Sequence, residues 1–75
     1  MRYKLLRRIN NEPEVFGMYD TFSQAYGKME RNYYNYMSEC EIIHYNEIYA
    51  NEAVVVDNED ECHWLIVEER EEYNV

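Results

Sequence analysis

Four side chains have types that could ligate a soft metal or form a nucleophile and its base: Cys40, His44, Cys62 and His63. Their spacings, Cys-x3-His and Cys-His, match neither the ribbon nor the finger patterns of structural zinc. Adjacent residues on a strand point to opposite faces, so Cys62 and His63 do not readily reach one ion. A Cys/His nucleophile pair further needs an orienting group, an oxyanion site and a cleft that excludes water, and no pattern supplies them. The acidic run Asp57-Asn58-Glu59-Asp60-Glu61 offers oxygen ligands, but it lacks the glycine and the spaced terminal glutamate of a helix-loop-helix calcium site. With only Gly17 and Gly27, the chain has no glycine-rich phosphate loop. The expectation is a non-enzyme with no catalytic residue, no cofactor and no metal.

What remains as a chemical signal is charge. Residues 1 to 37 hold six Lys/Arg and four Asp/Glu, for +2, whereas residues 38 to 75 hold one Arg and twelve Asp/Glu, for −11; together they give the net −9. Duplex nucleic acid is itself a dense line of negative charge, so this balance disfavours direct nucleic-acid binding and steers the chain toward basic surfaces. Anionic lipid repels it in the same way, and no apolar run approaches the roughly 20 residues of a spanning helix, so no membrane partner is expected. The basic residues Arg2, Lys4, Arg7 and Arg8 gather at the N-terminus, where they either pair with the acidic half or meet a separate partner.

Size limits where function can lie. Seventy-five residues support one core, and a domain of this length buries only about 60% of the surface of its unfolded chain. A single acidic domain over residues 1–75 with its function on the surface is the expectation. The apolar fraction of 47% is enough burial to offset chain entropy, which argues against disorder. Two cysteines and the absence of a signal-peptide pattern at the start suggest free thiols and a cytoplasmic setting.

The elements that must position these residues follow from periodicity. Tyr3 to Ile9 reads as a strand, Asn10-Asn11-Glu12-Pro13 as a turn, and Glu14 to Tyr19 as a second strand, with Gly17 marking a bulge or close approach. Thr21 and Gln24 have capping-box spacing. Behind them Phe22, Ala25, Tyr26, Met29, Tyr33, Tyr36 and Met37 share one helical face, leaving Lys28, Arg31, Tyr34 and Asn35 outside. Residues 41 to 49 fit a helical extension about as well as a strand. Ala53 to Val56 and Cys62 to Val67 form a second hairpin around an acidic turn.

The predicted architecture is therefore α+β: a small antiparallel sheet in ββαββ order with one long amphipathic helix packed on one face. In the last strand Cys62, Trp64 and Ile66 alternate with His63, Leu65 and Val67, which places apolar groups on both sides of the sheet. A second covered face follows, of the kind a homodimer provides. Nine tyrosines are many for this length. Tyr26, Tyr33 and Tyr36 belong to the core stripe, whereas Tyr34, Tyr45, Tyr49 and Tyr73 are candidate contact residues.

The −11 second half, the Asp57-Asn58-Glu59-Asp60-Glu61 turn and the Glu68-Glu69-Arg70-Glu71-Glu72 tail give the chain a general character that resembles the small anti-defence proteins of phages and mobile elements, including anti-CRISPR proteins that mimic DNA. The resemblance is one of composition and charge placement. It implies an inhibitor or regulator whose acidic surface blocks a basic nucleic-acid-binding site on a host protein, such as a CRISPR nuclease, by steric and electrostatic competition. The candidate partner-binding residues are Glu39, Glu41, Tyr45, Glu47, Tyr49, Glu52, Asp57, Glu59, Asp60, Glu61, Glu68, Glu69, Glu71 and Glu72. The competing expectation is a self-associating structural or assembly module of a phage or bacterium, in which the acidic surface serves only solubility.

Overall fold

Asn10 and Asn11 both hold positive φ, 51° and 71°. Asparagine tolerates that left-handed conformation, and two such residues in succession make the two-residue turn whose twist suits a β-hairpin. They join β1 (Arg2–Ile9) to β2 (Glu12–Tyr19). The computed structural model describes residues 2–69; Glu71, Glu72 and Tyr73 lie outside the described residues. Pro13 falls in β2, which is an edge strand, where a missing N–H is tolerated. The register of β1 against β2 shifts between Leu5 and Leu6, so the expected irregularity near Gly17 is a bulge that takes in Phe16.

The helix, α1 (Phe22–Ser38), begins where the sequence places it: the Thr21 hydroxyl accepts from the Gln24 amide and the Gln24 side chain accepts from the Thr21 amide. Its 17 residues make it about 25 Å long, shorter than the long helix expected. Ala25, Met29 and Tyr33 are fully buried, with Tyr26, Tyr36 and Met37 half-buried beside them, as the stripe predicts. Phe22 is more exposed than its place in the stripe implies: it sits in the first turn of the helix, its ring edge-on to Tyr3 and stacked on Tyr26.

The chain order is corrected from ββαββ to ββαβββ. The ambiguous stretch supplies a strand, β3 (Ile43–Ile48), ahead of β4 (Glu52–Asp57) and β5 (Glu61–Glu69). All neighbouring strands are antiparallel, in the spatial order β2-β1-β5-β4-β3. β5 lies in the centre with β1 and β4 beside it. Each of these three buries residues under the helix, while β2, with its proline and bulge, and β3 bury none fully and take the edges.

The helix crosses one face of this sheet, and the core lies between the two layers. Leu5, Ala53, Val55, Cys62, Trp64 and Ile66 point inward from the strands to meet Ala25, Met29 and Tyr33. Trp64 is at the centre of the core, met edge-on by Tyr33 at 5.9 Å and Tyr36 at 5.7 Å between ring centroids. No described helix is long and apolar enough to cross a membrane.

Candidate functional surface

Most of the acidic candidates among the described residues fall in two places. The first is the end of the molecule where α1 stops. Glu39, Glu41, Asp57 and Glu59 line one open depression of about 320 Å³ between the helix C-terminus and the β4–β5 turn. Residues far apart in the chain meet there because β3 leaves the helix end and β4 returns to it. The Cys40 thiol, at the start of that excursion, donates to Asp57 Oδ2 at 3.1 Å across 17 positions of sequence.

Electrostatics at this end is uniformly negative. The last turn of α1 contains no basic residue, so the partial negative charge of the helix C-terminus adds to that of the carboxylates instead of being offset. Glu39, Glu41 and Glu59 are exposed and form no ion pair with a described residue. Asp57 and Asp60 have internal partners. Asp57 Oδ1 accepts the backbone N–H groups of Glu59 at 2.8 Å and Asp60 at 2.6 Å. These bonds hold its carboxyl below the ordinary aspartate range, with the Asp60 amide the largest cause, then the Glu59 amide and the Cys40 thiol. Asp60 Oδ1 accepts from Asn10 Nδ2 at 2.6 Å, and the Glu61 amide donates to Asn10 Oδ1 at 2.9 Å. The β1–β2 turn is thereby fastened to the β4–β5 turn.

The second place is the sheet face turned away from the helix. Tyr45 and Glu47 on β3, Tyr49 beyond it and Glu52 on β4 gather along one side of this face, where the neighbouring Tyr45 phenol and then Glu47 push the Tyr49 hydroxyl above its ordinary range. Glu61 lies at the start of β5 with His63 Nε2 at 2.8 Å from its carboxylate, and Glu69 forms an ion pair with Lys4. Glu68 falls opposite Tyr3 on the helix side. The twelve described candidates are therefore not one patch: Glu39, Glu41, Asp57 and Glu59 come together, whereas Tyr45, Glu47, Tyr49 and Glu52 form a separate strip.

The N-terminal basic cluster divides in the same way. Arg7 faces the helix layer, donating from Nε to Glu14 Oε1 at 2.8 Å and from Nη1 to Asn32 Oδ1 at 3.3 Å, with its guanidinium 4.7 Å from the Phe16 ring centroid. Arg2, Lys4 and Arg8 alternate to the opposite face, where Lys4 meets Glu69.

The soft ligands do not converge. Cys62 is buried under the helix, and its neighbour His63 points through the other face of the sheet. His44 lies 3.3 Å from Asn58 Oδ1 at the edge. Burial pushes the Cys62 thiol up to about 12, and burial followed by the Asp57 hydrogen bond pushes Cys40 up to about 11, so neither favours the thiolate form at neutral pH. Tyr36 is raised well above its usual range, chiefly by burial and then by nearby Asp57.

The fold and surface define a two-layer α+β domain with an acidic end and an uncovered sheet face. Comparison with protein families, curated proteins and solved structures finds no match.

Proposed function

We propose that this chain is a non-catalytic binding protein whose acidic end occupies a basic, nucleic-acid-binding surface on another protein and excludes the nucleic acid from it. The observation that carries this reading is the placement of Glu39, Glu41 and Glu59, exposed and without an ion pair among the described residues, at the uncompensated C-terminus of α1. A cationic turn at that position would stabilise the helix. Negative charge there weakens the helix and concentrates the field at one end of the molecule. A basic groove evolved to hold phosphates is the complementary surface, and competition follows from charge and excluded volume together. Two thiols whose protonated forms are favoured are in keeping with a role in binding.

The test compares the protein with a variant carrying Glu39→Lys, Glu41→Lys and Glu59→Lys, each immobilised and exposed to a lysate of the natural host. The expected result is a nucleic-acid-binding protein held at low salt, released at high salt, displaced by duplex DNA and not captured by the variant. Equal capture by both forms, or capture indifferent to salt, overturns the proposal. The compositional resemblance to anti-CRISPR proteins makes a CRISPR nuclease the first purified partner to assay.

A further inference from the structure

An antiparallel sheet with one solvated face ordinarily shows polar side chains on that face. Here the positions turned away from the helix include Leu6, Val15, Met18, Val54, Leu65 and Val67. Leu6 pairs directly with Val15 on one side and Leu65 on the other, so the apolar groups form a continuous strip across β2, β1 and β5. Val15 is 58% exposed and Met18 40%, well above what a covered face would show. The strip contains a shallow depression of about 190 Å³ flanked by Arg8 on one side and Glu52 on the other. Contiguous exposed apolar surface of this kind marks an interaction site.

The charges around the strip say what covers it. Arg2, Lys4 and Arg8 all lie on β1, on one side of central β5, while Glu47 and Glu52 lie on β3 and β4, on the other. Adding Glu61 and Glu69 gives three cations against four carboxylates among the described residues, so the described part of this face is close to neutral on a chain of net −9. A basic partner would meet the β1 cations, and a nucleic acid would meet the carboxylates. A second copy satisfies both. A two-fold axis lying in the face along β5 sets β1 of one copy over β4 of the other, which brings Arg8 toward the facing Glu47 and Glu52, and symmetry repeats the contact.

We propose that the open face of the sheet binds a second copy of this chain, sheet on sheet, with Leu65 beside the two-fold axis, Leu6 and Val15 covered to one side of it, and Arg8 opposite Glu47 and Glu52 of the other copy. The two helices then lie outermost. The acidic end at Glu39, Glu41 and Glu59 is a different surface, so this pairing stands or falls separately from the proposed function.

Sedimentation equilibrium of the full chain over a wide concentration range tests it. The mass is expected to rise from one copy to two and stop there. Leu65→Glu, at an exposed position, should leave the chain folded by circular dichroism and monomeric. Arg8→Glu alone, or Glu47→Arg with Glu52→Arg, should weaken pairing by on the order of tenfold or more, and combining all three substitutions should restore it. The combined variant decides the matter even if Leu65→Glu unfolds the chain. A mass of one copy at every concentration gives the face to some other partner and overturns the proposal. So does a dimer indifferent to Leu65→Glu, or one not recovered by the combined charge swap.

Discussion

Asn32 Oδ1 accepts a hydrogen bond from Trp64 Nε1 at 2.8 Å, joining the middle of the helix to the middle of the central strand. Trp64 is the largest fully buried side chain, and its indole N–H has this one acceptor. The same oxygen also accepts from Arg7 Nη1 at 3.3 Å. One amide therefore satisfies the only polar group of the largest core residue and holds a guanidinium against the edge of the core.

Asn32→Ala leaves the Trp64 N–H without a partner in a dry site, and the expected loss is about 1–3 kcal/mol of unfolding free energy. Urea unfolding followed by tryptophan fluorescence measures it directly, since Trp64 is the only tryptophan. The stronger check is a cycle with Trp64→Phe, its urea unfolding followed in all four proteins by far-ultraviolet circular dichroism because that background has no tryptophan. In that background Asn32→Ala should cost markedly less, because the orphaned donor has gone. Equal losses in the two backgrounds would show that the bond contributes nothing and that Asn32 acts through packing alone.

Asn32 also illustrates what periodicity misses. It lies three residues after Met29, within the buried stripe, but a pattern built on apolar residues passes over an asparagine. Only the tryptophan on a facing strand, 32 positions away, gives it a purpose. β3 escaped for a different reason: every residue of it is exposed or half-buried, so an edge strand of this kind carries little alternation, and Ile43, Tyr45 and Ile48 suit either period. The start of the helix and its buried face were legible because one is a local capping box and the other a local repeat, whereas its length of 17 residues and the exposure of Phe22 were not. The hairpins were legible for the same reason, whereas the pairing of β1 with β5 joins strands distant in sequence and is set by which strands bury residues under the helix. At the candidate site, sequence located the acidic residues. It did not show that 39–41 and 57–59 meet while 45–52 turn onto another face, because the β3–β4 hairpin makes that choice.

The two glycines make opposite predictions under the same substitution. Gly27 is in the helix interior with nothing near the position a Cβ would take, so Gly27→Ala gains helix propensity and should stabilise the protein by about 1 kcal/mol. At Gly17 an added methyl runs into the phenol of Tyr19, which packs half-buried against the core. Gly17→Ala therefore requires that ring to move and should destabilise by on the order of 1 kcal/mol. Thermal melts of the two variants beside the parent read both signs at once. A Gly17→Ala protein as stable as Gly27→Ala would mean that Tyr19 swings clear without loss.

Asp57 connects the acidic end to stability through pH. Its carboxyl is held below the ordinary range by the Asp60 and Glu59 amides and the Cys40 thiol, against a smaller opposing effect of burial. A carboxyl with a lower pKa folded than unfolded binds fewer protons in the native state, so its contribution is fully present above the unfolded value, about 3.9, and is lost as pH falls through the folded one. Asp57→Asn keeps an oxygen acceptor at this position and removes the charge. The variant should be less stable than the parent at neutral pH, and the two urea midpoints should converge as pH is lowered below about 4. Titration of Asp57 by carbon-detected NMR gives the folded value independently. A stability gap that stays constant from neutral to acid pH would place the cost of Asp57→Asn in lost hydrogen-bond geometry at the turn, with no part played by the charge.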